Sequence, residues 1–232
     1  MEPRSLVSIA AFIGRSILLM SKDAYRNTAK VYDRLFDNMN KGLKLVGIRM
    51  FRPSPGMNIL DVGCGTGTHL ELYQRYKCNL YGLDRSPAML AVARNRLGDG
   101  AHLDLADATH MPYSDKNFDL VISMLSLHEM SPDTRLRTLR EMERVLNDAG
   151  HILLIDFQPG PTQPLQGWVS RLIIFFSEVA AGFEHFKNFR HFMGIGGLPT
   201  LISQQNLVLE KQQTLAGGTF SVLLAIGKQS DS

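Results

Sequence analysis

Asn58-Ile59-Leu60-Asp61-Val62-Gly63-Cys64-Gly65-Thr66-Gly67, followed by Tyr81-Gly82-Leu83-Asp84, reads as strand, glycine turn, helix and a second strand ending in an acid. Three alternate glycines permit a tight turn and leave no β-carbon between backbone and ligand. Asp84 stands 17 residues beyond Gly67, close to the spacing at which a carboxylate accepts hydrogen bonds from ribose hydroxyls. The loop is G-x-G-x-G rather than the dinucleotide G-x-G-x-x-G, and Asp61 precedes its first glycine by two residues. A carboxylate there opposes a pyrophosphate and welcomes an ammonium group. The segment therefore points to a nucleoside with a cationic tail and away from a nicotinamide dinucleotide.

Outward from this segment the alternation is regular. The pattern predicts strands over 58–62, 79–83, 102–105, 118–124 and 151–156, with helices over 67–76, 87–97 and 132–146 between them. Ser86-Pro87 is a helix entry with proline in the first turn, where its missing N–H costs nothing. Strands separated by helices of this length imply an α/β parallel sheet covered on both faces. Further on, a helix over 198–205 and strands near 207–213 and 219–227 around Ala216-Gly217-Gly218 suggest a C-terminal antiparallel hairpin.

Taken as an ordered set, Asp61 to Gly67, Asp84, Asp107-Ala108 and Phe118-Asp119-Leu120-Val121-Ile122 resemble the successive motifs of the class I S-adenosylmethionine-dependent methyltransferases, over about residues 55 to 157. The resemblance implies a Rossmann-like seven-stranded sheet and S-adenosyl-L-methionine as cofactor. It would place the methionine end on Asp61, Gly63, Cys64, Gly65, Thr66 and Gly67. The ribose would lie on Asp84 with Arg85 and Met89 beside it, the adenine edge on Asp107 and Ala108, and the floor beside the sulfonium on Ser123 and Met124. The chemistry implied is in-line methyl transfer, which needs alignment and exclusion of water but no covalent protein nucleophile.

Acceptor-side candidates come from outside those motifs. His128, in Ser126-Leu127-His128-Glu129 after the fourth strand, can reach the cleft at the carboxyl edge of such a sheet and is the candidate catalytic base. Positioning of substrate and support of the loop are the competing readings. His185, Phe189 and His191 mark an aromatic segment suited to a pocket wall, and Tyr25 and Tyr32 belong to a helix preceding the core. Thr28 to Asp33 resembles the entrance region of ubiquinone and menaquinone C-methyltransferases. That group usually carries an Arg-Asn pair where this chain has His128-Glu129, so the acceptor stays open. An apolar small molecule or lipid, a quinone precursor, a phospholipid headgroup and a non-catalytic cofactor-binding role are the alternatives. Spacing gives no compact ligand motif to His110, His185 and His191, and no metal is expected.

Composition bounds these readings. The 232 residues, 44% hydrophobic and 20% charged, suit one sizeable core. A net charge of +3, spread among acids without an aromatic-basic stripe, gives no case for nucleic acid. Cys64 and Cys78 are the only cysteines, which suits a reducing, cytoplasmic setting and removes a thiolate-cluster metal site or arsenic chemistry. Leu6, Ile9, Ala10, Ile13, Ile17 and Met20 recur at helical spacing among Arg4, Arg15 and Lys22, in a stretch shorter than a membrane span. Residues 5–20 are thus a helix for packing, for peripheral membrane contact or for targeting, and a homodimer is compatible with them. The domain reading is a helical cap or entrance over 1–52 and a core over 53–232, with 158–205 as an acceptor-site insertion.

Overall fold

The computed structural model describes residues 40–160, 174 and 182–228. The expected N-terminal helices, with Tyr25 and Tyr32, lie outside the described residues, as do 161–173 and 175–181 of the expected acceptor-site insertion.

Seven strands form one sheet in the order β3-β2-β1-β4-β5-β7-β6. The strands are β1 (Asn58–Val62), β2 (Asn79–Asp84), β3 (His102–Leu105), β4 (Phe118–Met124), β5 (Leu146–Phe157), β6 (Leu207–Leu215) and β7 (Phe220–Gly227). The first five run parallel, whereas β7 pairs antiparallel with both β5 and β6, as a hairpin must. The order reverses between β1 and β4, and ligands bind at such a switch point outside the carboxyl ends of the strands. β1, β4 and β5 read as apolar runs because helices cover both faces, and Ile59, Leu60, Leu120, Ile122, Leu153 and Leu154 are fully buried. β5 begins at Leu146, five residues before the expected start, because a register shift between Phe118 and Leu120 absorbs the Asn147–Gly150 turn into an irregular strand end.

The helices are α1 (described over 40–50), α2 (Thr68–Tyr73), α3 (Pro87–Leu97), α4 (Pro132–Val145), α5 (Phe183–Gly194) and α6 (Leu198–Ser203). Two of them start as their residues dictate: the Ser86 and Ser131 hydroxyls accept from the amides of Met89 and Thr134, each with proline in the first turn. A glycine brings α1 close to the sheet, since a Cβ on Gly47 would fall 2.9 Å from Leu153 Cδ2. That approach delivers Lys44 to the carboxyl edge, where its Nζ donates to Thr68 Oγ1 at 2.6 Å. Among the described residues no helix is long and apolar enough to cross a membrane.

Candidate functional site

A cleft of roughly 940 Å³ lies over the carboxyl ends of β1, β2 and β4. Its lining brings together residues far apart in sequence: Asp61, Gly63, Cys64, Gly65, Thr66, Asp84, Arg85, Met89, Asp107, Ala108 and Met124. The size lies in the range of small-molecule and cofactor sites.

The glycine turn shapes one wall. Gly63 and Gly65 have φ of 75° and 53°, a region that glycine occupies without strain. A Cβ on Gly63 would lie 2.6 Å from Ser126 Oγ, whereas around Gly65 the space is open. Gly67 departs from the expectation. It does not border the cleft, and a Cβ there would meet Leu97 Cδ1 at 2.8 Å and Ala93 Cβ at 3.2 Å, so it serves the contact of α2 with α3. Ser123 departs as well. Alternation along β4 sends it to the face opposite Met124, and its Oγ is buried without a hydrogen-bond partner.

Asp84 is held from two sides. Its Oδ2 accepts from the Gly65 amide at 2.9 Å and its Oδ1 from the Ser86 amide at 2.8 Å. Each oxygen retains a further lone pair toward the cleft. At the mouth, Asp107 Oδ1 accepts from Thr109 N and Thr109 Oγ1 at 2.8 and 2.9 Å, and these bonds hold its carboxyl below the ordinary range.

Asp61 is 2% exposed. Burial pushes its carboxyl up to about 7; Lys44 works against that shift and Asp84 adds to it. A buried carboxyl so raised gains from a cationic ligand group, which restores the ionised form. Two residues outside the sequence reading share this end. Lys44 is buried on the cleft wall, and His69, in the first turn of α2, is 3% exposed with both ring nitrogens unpartnered. Burial, then Lys44, pushes His69 down to about 3, so it is neutral and carries one N–H without an acceptor. A cation-accepting acid beside a lysine and an unsatisfied donor suits a ligand end bearing both an ammonium and a carboxylate. S-adenosylmethionine has such an end, together with a ribose for Asp84 and an adenine for Asp107.

The residues expected on the acceptor side gather around the turn over Leu127–Glu129. Leu125 enters it with φ 52° and its amide donates to Ile155 O. His128 is buried, with Nδ1 2.7 Å from Asp156 Oδ1, and its backbone amide donates to Asp156 Oδ2 at 3.2 Å. Its ring lies edge-on to Phe157 and close to His185 and Phe189, at centroid distances of 4.6, 5.7 and 6.2 Å. Glu129 borders the large cleft. Phe157 and Phe189 line a second, mostly apolar cavity of roughly 480 Å³ with Pro159, Ile174 and Met193. His191 is exposed on α5 and borders neither cavity, and His110 is likewise exposed.

Arg135 holds this corner together. It is fully buried in α4, where Nε donates to Leu127 O and Nη2 to Met130 O, both at 2.8 Å, while its guanidinium lies 5.0 Å from the Phe192 ring centre. Asn188 of α5 adds a bond to Glu129 O at 2.8 Å. Arg135 and Asp156 were legible only indirectly: Arg135 shares a helical stripe with Leu139 and Met142, and Asp156 ends an apolar strand.

Comparison with known proteins agrees with this geometry. A family model described as a methyltransferase domain matches residues 60–154. The chain is 31% identical over 160 residues to a ubiquinone/menaquinone biosynthesis C-methyltransferase of Bordetella avium, covering 64% of this chain and 62% of that one. It is 30% identical over 131 residues to a probable tRNA methyltransferase 9B of Mus musculus, covering 56% of this chain and 28% of that protein. The chain thus spans only part of the length of these curated relatives. Among solved structures, the PH0226 protein of Pyrococcus horikoshii superposes with a TM-score of 0.65 at 18% identity, over 83% of this chain and 91% of that one, which shows the shared fold. The methyltransferase domain matched over residues 60–154, the methyltransferase relatives and the sheet order agree in supporting an S-adenosylmethionine-dependent methyltransferase.

Proposed function

We propose that this chain transfers a methyl group from S-adenosylmethionine to a small apolar or lipid-like acceptor by direct in-line displacement. The observation that carries the reading is the meeting of two unlike spaces. The cleft with Asp61 and Asp84 runs past Glu129 to Asn188, and the aromatic cluster around His128 includes Phe157 and Phe189, which line the apolar cavity.

Bound there, the cofactor supplies an electrophilic methyl on a positively charged sulfur. Asp61, Lys44 and His69 would hold its methionine end, Asp84 its ribose and Asp107 with Ala108 its adenine. His128, kept in one orientation by Asp156, and Glu129 with His185 and Phe189 would meet the acceptor and keep water away. The name of the Bordetella relative favours a quinone precursor as one such acceptor, whereas the mouse relative's name raises tRNA as the competing substrate.

Radiolabelled adenosylmethionine, incubated with the full chain and either a lipid extract or total tRNA, separates the two. Label is expected in the organic-soluble fraction. Label confined to tRNA, or to neither pool, would overturn the acceptor class.

The Asp61 environment sets a pH dependence. Its folded pKa lies above the ordinary 3.8, so its contribution to stability of the free protein is complete below 3.8 and is lost as the pH rises toward about 7. A cationic ligand demands the ionised acid, so binding below pH 7 requires release of a proton. Affinity for adenosylmethionine is therefore expected to rise nearly tenfold per pH unit below about pH 6, to bend over near 7 and to level off by about pH 8. Calorimetry across that window checks this, and the Asp61→Asn variant should bind weakly with a flat profile; an equally steep profile in the variant would place the titrating group elsewhere.

A further inference from the structure

Three potential metal ligands converge beside the cleft. A ring nitrogen of His128, a carboxylate oxygen of Glu129 and a ring nitrogen of His185 lie within 4.8 Å of one another. His128 and Glu129 are neighbours in the turn after β4, and His185 reaches them from the first turn of α5. His128 Nε2 and Glu129 Oε1 are 4.0 Å apart. The set differs from the His110, His185 and His191 combination weighed from sequence, because the sheet edge, not chain proximity, brings it together.

The surroundings resemble those of a built site. The buried Asp156 carboxylate lies 2.7 Å from His128 Nδ1, and accepting that N–H puts the ring's lone pair on Nε2, the atom turned to Glu129. A carboxylate behind a ligating imidazole is the usual outer partner in metal sites, where it fixes the tautomer and raises ligand basicity. The turn itself is anchored, since Arg135 takes the carbonyls of Leu127 and Met130 and Asn188 takes that of Glu129. Asn188 stands three residues after His185, so the helix that presents the second imidazole is tied to the turn that presents the first. An aromatic packing cluster alone would require neither the buried Asp156 nor the adjacent carboxylate.

We propose that His128, Glu129 and His185 bind a divalent transition-metal ion of the zinc class, with Asp156 as the partner behind His128. Two imidazoles and one carboxylate suit such an ion better than magnesium or calcium, which take oxygen ligands. Three protein ligands leave a coordination position open, and Glu129 on the cleft wall turns the site toward the methyl donor. Resting on the methyl-transfer reading, this narrows the acceptor to a molecule with a hydroxyl or enol oxygen. Bound to the ion, that oxygen loses its proton to water more readily. It then forms the new bond to the methyl carbon while the carbon–sulfur bond breaks, and the bonding pair stays on sulfur as a neutral thioether.

The test uses the full chain, stripped with a chelator and titrated with Co²⁺ alone, followed by visible absorption and metal analysis. One Co²⁺ per chain, displaced by Zn²⁺, is expected. Affinity should fall at least tenfold in Glu129→Gln and His185→Ala, and about 10- to 100-fold in Asp156→Asn. Glu129 is exposed, so its variant keeps the test decisive should His185→Ala fail to fold by circular dichroism. Less than one ion per wild-type chain, or unchanged affinity in Glu129→Gln, would overturn the site. Adenosylmethionine binding by the metal-free chain, measured in parallel, distinguishes the outcomes: retained binding without Co²⁺ uptake removes the metal and leaves the methyl-donor reading intact.

Discussion

Replacing Asp84 by Ala is expected to weaken S-adenosylmethionine binding by about 100-fold or more. Its carboxylate is prepositioned by the Gly65 and Ser86 amides, so little freedom is lost when it accepts from a ribose diol. A hydrogen bond to a charged group contributes about 1.5–3 kcal/mol, and a factor of ten corresponds to about 1.4 kcal/mol. One such bond gives roughly tenfold, and two exceed a hundredfold. The substitution also strips Gly65 N of its acceptor, which loosens the turn that walls the methionine end. Titration calorimetry measures the effect, with circular dichroism as the folding control. A loss below about threefold in a folded variant would show that the ribose does not lie on Asp84.

The largest expected effect on stability belongs to Arg135→Met. The change keeps much of the aliphatic stem against Phe192 but leaves the Met130 carbonyl without the guanidinium donor and the Leu127 carbonyl with only the longer bond from the Met130 amide. Burial pushes the Arg135 guanidinium down to about 10, with Asp156 working in the opposite direction, so it remains charged near neutrality. An orphaned buried acceptor costs about 1–3 kcal/mol and a lost hydrogen bond from a charged group about 1.5–3 kcal/mol, and apolar packing of the new side chain offsets part of this. A net loss of about 3 kcal/mol follows, which for a chain of this size lowers the melting temperature by roughly 6–12 °C. The same variant should disturb His128 and Glu129, because Arg135 pins the turn that carries them. Thermal unfolding followed by circular dichroism checks the first effect. A melting temperature within about 2 °C of wild type would mean that water or the neighbouring backbone replaces the guanidinium without loss.

The two variants differ in how visible their residues are in the chain. Asp84 ends a strand at ribose spacing from a glycine turn, and local chemistry suffices to single it out as a candidate. Arg135 looks like one more charge on a solvated helix, and only its place on the Leu139 and Met142 stripe betrays burial. Gly67 shows the opposite case. It completes a motif on paper, and in the structure its missing Cβ makes room for Leu97 and Ala93, outside the cleft lining. Ser123 also lies outside that lining, since strand alternation separates it from its neighbour Met124. His69 and Lys44 escaped notice because each sits among mixed polar and apolar residues, where nothing local signals that a polar side chain is buried.

By itself the sequence determined the class of the fold and the strand and helix succession over 58–157, and it singled out Asp61 and Asp84 as acids suited to a cationic nucleoside. These depend on short-range properties: the period of apolar residues, the freedom of glycine at positive φ and the charge beside a turn. The tertiary structure alone decided which of those residues share the cleft, which pack the core, and that His128, Glu129, Asp156, Arg135 and His185 meet at one corner. That corner is assembled from β4, β5, α4 and α5, and its geometry arises from strand order and helix packing, which separations of up to 57 residues along the chain, from His128 to His185, cannot encode locally.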